Sequence, residues 1–206
     1  MHNKFILIYR IAFVSLSLFT IIAGAIINIL DSGSIVPWLI GFKYYTTQSN
    51  YIISFWWILA ILWHNNPDKL KKITGPLKGA FTFYITITFV FFAILLSPTY
   101  HPTGFAAFTN LIVHYLTPIA FIVDWALTEV NEKYQWKLLL YWALYPLCYL
   151  VFALIHGVIT TDFIYPFFDL NSLGLVNYVL MVGILILSSL GLASAYIAVN
   201  RKRVKT

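Results

Sequence analysis

Charge is scarce in this sequence. Of its 206 residues only 10% are Asp, Glu, Lys or Arg, while 61% are hydrophobic; a soluble domain carries roughly 25% charged residues. Water is therefore not the main solvent of the folded chain, and a mean hydropathy of +0.83 agrees. Cysteine is nearly missing as well. Cys148 alone excludes an internal disulfide and a thiolate metal site, and within its apolar segment it reads as core filler. Nucleic-acid-binding motifs are lacking, and the net charge of +6 is confined to short loops and the tail, where it acts as a topology signal. No matching halves or symmetric Pro/Gly interruptions suggest an inverted-repeat transporter. Cofactors and metals are not expected, since His114 and His156 are a single pair at no recognisable haem-binding spacing.

What is present is apolar length. Spanning a hydrocarbon core of about 30 Å takes roughly 20 residues, and suitable stretches fall near 6–30, 45–63, 77–96, 105–127, 136–159 and 173–199. The expectation is an all-α polytopic membrane protein, a single domain over 1–206 with six transmembrane helices. The 18% aromatic content suits Trp and Tyr at the two membrane interfaces. The second stretch is the shortest, so its polar start, Thr46-Thr47-Gln48-Ser49-Asn50, is drawn into the bundle. Lys and Arg divide unequally: twelve lie at the N-terminus, in loops 2–3 and 4–5 and in the tail, against Lys43 alone in the other three loops. The positive-inside rule then puts both termini in the cytoplasm. Ala23-Gly24-Ala25 resembles a signal cleavage site, but the apolar run continues to Leu30 and cleavage would leave an odd number of spans. A multi-pass protein of a bacterial inner membrane or a plasma membrane is expected.

Within this apolar background the polar residues are conspicuous. His114 lies in the stretch 105–127, about 13 Å from its outer end at 1.5 Å per residue, and an ionisable residue at such depth is a functional candidate by default. At 100° per residue, Asn110, His114, Thr117, Phe121 and Asp124 fall within an arc of roughly 80°. Such a stripe must face the bundle interior or a water-filled cavity. Thr46, Ser49 and Asn50 share a face of the second helix at a comparable depth. Asn28, His156, Asp162, Tyr165 and Asn177 fall at the same outer end. Asp124 is nearer the cytoplasmic end, where a loop lysine would pair with it.

A hydroxyl beside an imidazole suggests nucleophilic catalysis, because Thr or Ser is a weak nucleophile until a base takes its proton. The candidates are Thr46 as nucleophile, with Thr47 and Ser49 as alternatives, and His114 as base. Gln48, Ser49, Asn50, Asn110, Thr117, His156 and Tyr165 would orient the base, stabilise an oxyanion or bind substrate. No carboxylate stands beside His114 as a third member. Two plainer readings compete: interhelical hydrogen bonding for His114 and helix capping for Thr46–Asn50.

Three short motifs sharpen the choice. Lys43-Tyr44-Tyr45-Thr46, Asn110-Leu111-Ile112-Val113-His114 and Tyr165-Pro166-Phe167-Phe168-Asp169 together resemble the six-helix androgen-induced and androgen-dependent membrane hydrolases and their bacterial six-pass branch. The resemblance implies a threonine hydrolase of fatty acid esters of hydroxy fatty acids, with Thr46 and His114 catalytic and membrane lipids as substrate. The alternative function is a non-enzymatic small transporter, lipid-binding sensor or assembly protein whose polar stripe lines a cavity.

Overall fold

The computed structural model describes residues 4–204, and every regular element among them is helical. The chain forms two compact units, Met1–Glu132 and Lys133–Thr206. Five helical stretches among the described residues are long and apolar enough to cross a membrane: Lys4–Ser32, Pro76–Leu96, Gly104–Thr128, Leu138–Thr160 and Leu170–Arg203. The helix over the remaining apolar stretch is Tyr45–Leu62, 18 residues or about 27 Å. Its polar first turn lowers its hydropathy below that of the other five.

The first unit contains α1 (Lys4–Ser32), the short α2 (Val36–Ile40), a 3-10 turn at Gly41–Lys43, α3 (Tyr45–Leu62), the short α4 (Pro67–Lys71), and α5 (Pro76–Phe91). After α5 come α6 (Gly104–Leu111) and α7 (Thr117–Thr128). α5 packs on α3 and α7, and α1 packs on α3 and α7. Their shared core is Val14, Ile53, Trp56, Trp57, Ile85 and Phe121 with smaller neighbours. Phe121 meets Trp56 edge-on at 5.3 Å and Trp57 at 5.2 Å. In lipid, apolar burial does little to hold helices together, so packing and interhelical hydrogen bonds do the work. Ser17 and Ser54 share one at 2.7 Å between α1 and α3, and Ser49 and Thr88 another at 2.7 Å between α3 and α5.

Two π-helical turns interrupt this unit. One, Phe92–Leu96, continues α5; the other, Ile112–Leu116, joins α6 to α7. Ser97 N–H reaches back five residues to the Phe92 carbonyl, 2.8 Å, and Thr117 N–H likewise reaches Ile112. Both turns end on the leucine of the same local sequence, Leu96-Ser97-Pro98 and Leu116-Thr117-Pro118. Proline cannot donate to the carbonyl four residues back, so Ile94 and His114 each lose their ordinary α-helical donor. The wider turn accommodates that loss.

The second unit is a pair of long helices, α8 (Leu138–Thr160) and α9 (Leu170–Arg203), with a 3-10 turn at Pro166–Phe168. α9 is interrupted at Gly174, whose φ of 72° no ordinary helix allows. Asp169 caps its start, accepting from Asn171 N (2.9 Å) and Ser172 N (3.2 Å). The Ser172 hydroxyl also donates to this carboxylate, and these bonds hold it below the usual carboxylate range. At the opposite end, Asn200 accepts from Tyr134 N at 2.8 Å and Arg201 donates to the Tyr134 carbonyl at 2.8 Å. Gly157 lets the Phe163 ring lie against the α8 backbone, where a Cβ would collide with it. Cys148 is exposed, contrary to its reading as core filler: on a helix with an apolar exterior, an apolar thiol is as well placed outside as inside.

Candidate functional site

A cavity of about 350 Å³ lies in the first unit among α1, α2, the 3-10 turn, α3 and α6. Thr46, Thr47 and Asn50 line it from α3, Thr20 from α1, and Trp38 and Tyr51 form apolar wall. Asn50 is 3% exposed and spends its whole amide on neighbours. Its Nδ2 donates to the carbonyls of Thr46 and Val113, each at 2.9 Å, and its Oδ1 accepts from the Thr117 hydroxyl at 2.7 Å. One side chain thus pins the first turn of α3 to the π turn that carries His114. Ser49 is buried between the Thr46 carbonyl, 3.1 Å, and Thr88, 2.7 Å. Gln48 turns back to the Phe42 carbonyl, 2.8 Å. The Thr46 and Thr47 hydroxyls, by contrast, make no hydrogen bond among the described residues.

His114 sits beside this assembly without lining the cavity; its neighbour Val113 does. The imidazole stacks on Phe92 with ring centroids 3.6 Å apart and planes 16° from parallel, so each π turn supplies one ring of the pair. Its Nδ1 is 3.3 Å from the Asn110 carbonyl oxygen. A carbonyl only accepts, so in the neutral ring Nδ1 carries the proton and Nε2 keeps the lone pair. Asn110 Oδ1 is buried with no hydrogen-bond partner among the described residues. No hydrogen bond joins Thr46 to His114 among those residues; Asn50 is what connects their helices.

The polar stripe expected along 110–124 is two stripes. The extra residue of the π turn rotates the following helix by about 100° relative to a regular α-helix. Beyond the turn, Thr117, Phe121 and Asp124 are all fully buried on one face, while Asn110 and His114 are half-buried. His156 and Tyr165 belong to the second unit. There the His156 Nδ1 approaches the Asp162 carbonyl at 2.9 Å, and Tyr165 stacks on Phe167 at 5.1 Å.

Asp124 anchors a second polar centre that the sequence reading only half anticipated. Its carboxylate accepts from Arg10 Nε at 2.8 Å and the second Arg10 nitrogen at 2.9 Å, from Lys78 Nζ at 2.8 Å and from Trp57 Nε1 at 3.0 Å. Both cations also lie against the Trp56 ring, Lys78 at 4.4 Å and Arg10 at 4.9 Å. One partner is Lys78, counted with loop 2–3 in the sequence reading but carried by the first turns of α5; the other is Arg10 of α1, and the two are 0% and 3% exposed. Lys78 further contacts Glu129 Oε1 at 3.8 Å, and Glu129 Oε2 accepts from Gly75 N at 2.7 Å. Burial raises the Glu129 carboxyl above its usual range, against the pull of the Lys78 ammonium. Gly75 has φ 65° and a Cβ there would strike Glu132. An Arg at the fifth position of the apolar stretch 6–30 and a Lys two residues after Gly75-Pro76 were visible signals of this centre.

Comparison of the chain with protein-family models, with characterised proteins and with solved structures finds no match. The candidate site therefore stands on its own geometry. Gly24 lines the cavity, and a Cβ there would meet nothing within 4 Å. Gly24→Leu is expected to fill the cavity while leaving the fold intact, since Leu also favours helix over Gly by up to about 1 kcal/mol. Thermal unfolding should be unchanged or raised, and any lipid bound by the wild type should be lost; retained lipid binding would mean the cavity is not the binding site.

Proposed function

We propose that this chain is a six-span membrane protein with cytoplasmic termini that hydrolyses lipid esters, using Thr46 as nucleophile and His114 as general base. The observation that carries the reading is the Thr46 hydroxyl, which lines a cavity of about 350 Å³ with no hydrogen-bond partner among the described residues. Thr47 shares that property and is the alternative nucleophile; the buried, doubly bonded Ser49 is the weaker one. The base is supported by its tautomer. The Asn110 carbonyl takes the role a carboxylate plays in other triads, holding the Nδ1 proton and leaving Nε2 to accept one. The motif resemblance to the androgen-induced hydrolases points the same way.

In the proposed reaction the Thr46 oxygen attacks the ester carbonyl carbon and its proton passes to His114 Nε2. The C–O bond to the alcohol breaks and the departing alcohol takes up that proton. Water, deprotonated by the same nitrogen, then cleaves the acyl-threonine, releasing the acid and restoring the hydroxyl. Thr46 and His114 must come within hydrogen-bond reach during this sequence, and catalytic hydrogen bonds commonly tighten only with substrate bound. The topology rests on the lysines and arginines. Even without Arg10 and Lys78, which are consumed in buried ion pairs, ten basic residues stay on one side against Lys43 on the other.

The test is covalent labelling of the purified protein by a fluorophosphonate probe. Labelling is expected in the wild type and lost in Thr46→Ala and in His114→Ala, each checked for a single symmetric gel-filtration peak. A folded wild type that neither labels nor turns over any lipid ester sinks the hydrolase. A second reading, a lipid-binding bundle without catalysis, is favoured by one observation: His114 is not among the residues lining the cavity.

A further inference from the structure

We infer that Asn50 is a positioning residue of the candidate site: its amide supplies the donor that the π turn Ile112–Leu116 denies to the Val113 carbonyl, and so holds the His114 ring in place; the consequence for catalysis rests on the hydrolase reading. A carbonyl in a regular α-helix accepts from the N–H four residues on. For Val113 that donor belongs to Thr117, whose N–H goes to Ile112 instead. The π-type alternative, five residues on, is Pro118, which has no N–H to give. The Val113 carbonyl is thus left without either helical donor, a costly state where water is scarce. Asn50 Nδ2 fills the gap at 2.9 Å.

The remaining bonds of the amide fix its direction. The second Nδ2 hydrogen goes to the Thr46 carbonyl at 2.9 Å, one turn back on α3, and Oδ1 accepts from the Thr117 hydroxyl at 2.7 Å. The carboxamide therefore has one orientation, tied to the first turn of α3 at one end and to residues on both sides of His114 at the other. The ring itself rests on Phe92 at 3.6 Å and on the Asn110 carbonyl at 3.3 Å. Without the Nδ2 donor the helix can give Val113 a partner by returning the Thr117 N–H to it. That closes an α turn and moves the extra residue elsewhere, rotating His114 by about 100° relative to α7 and taking its ring off Phe92. Reactivity follows, since a misplacement of about 1 Å can cost on the order of 10²-fold.

The full chain in phosphatidylcholine nanodiscs is compared with three variants. Asn50→Leu removes the amide. Asn50→Ser keeps a donor to the Thr46 carbonyl, as Ser54 bonds the Asn50 carbonyl at 2.7 Å, but is too short to reach Val113. Ser49→Ala loses two buried hydrogen bonds on the same turn of α3, to Thr46 and Thr88, without touching the π turn. The His114 ring protons are read by histidine-selective NMR and assigned by their loss in His114→Phe; stacking on Phe92 shifts them upfield, and Phe92→Leu gives the unstacked position. Both Asn50 variants are expected to move to the unstacked position and Ser49→Ala to keep the wild-type one. Labelling by the fluorophosphonate probe at saturation should slow by about tenfold or more in the Asn50 variants, with the half-saturating concentration held. Folded Asn50 variants whose His114 signals stay in place overturn the inference, water having taken over the Val113 carbonyl. So does a moved signal with undiminished labelling, and so do Asn50 variants that fail to fold while Ser49→Ala folds, which makes the amide a structural bond only. A wild type that never labels removes the hydrolase reading and leaves the NMR result to decide the placement of His114, so the two failures are distinguishable.

Discussion

Asp124→Ala is expected to unfold the first unit or to lower its stability by about 3–5 kcal/mol, the cost of stranding buried charges without their partner. The carboxylate satisfies the Arg10 guanidinium, the Lys78 ammonium and the Trp57 indole together. Removing it leaves two cations, 3% and 0% exposed, against the raised Glu129 carboxyl alone. The measurement is thermal unfolding in detergent, followed by tryptophan fluorescence because Trp56 and Trp57 flank the cluster. A companion variant keeps the result interpretable: Arg10→Met, Lys78→Met and Asp124→Leu combined should recover much of the loss, since a buried ion cluster is often replaced by apolar residues at little cost. Strict additivity of the three changes would mean that the groups do not act as a unit.

His114→Phe is expected to reduce turnover of a lipid ester by about 10²–10⁴-fold, the usual contribution of a positioned acid–base group. Phenylalanine preserves the stack on Phe92, 3.6 Å between centroids, so stability should change little while the proton acceptor disappears. Kcat and the unfolding temperature are measured on the same preparation. A folded His114→Phe protein that keeps more than a tenth of the wild-type kcat would assign the base to another residue. Equal losses of stability and activity would instead make the ring a packing element.

Helix boundaries were legible because apolar length and breakers are local properties. The expected 77–96 and 105–127 correspond to Pro76–Leu96 and Gly104–Thr128, bounded by Gly75-Pro76 and Thr103-Gly104. The polar run at the start of the second stretch was legible too, and three of its members, Thr46, Thr47 and Asn50, line the cavity. The angular relation of His114 to Thr117 and Asp124 was not, since a uniform 100° per residue cannot register a π turn. The repeated Leu-Ser/Thr-Pro on whose leucine both turns end is a local signal that could have warned of it.

The sequence by itself determined that the chain is helical and apolar and where its long helices start and stop. These follow from backbone hydrogen bonding and solvent preference, properties each segment has alone. Only the tertiary structure decided who meets whom. It gave Asp124 two cations from α1 and α5, gave His114 the face of Phe92, and made Asn50 the link between the Thr46 turn and the His114 turn. The physical reason is that a buried polar group must find a partner, and which partner is within reach depends on how helices distant in sequence pack, which no single segment encodes.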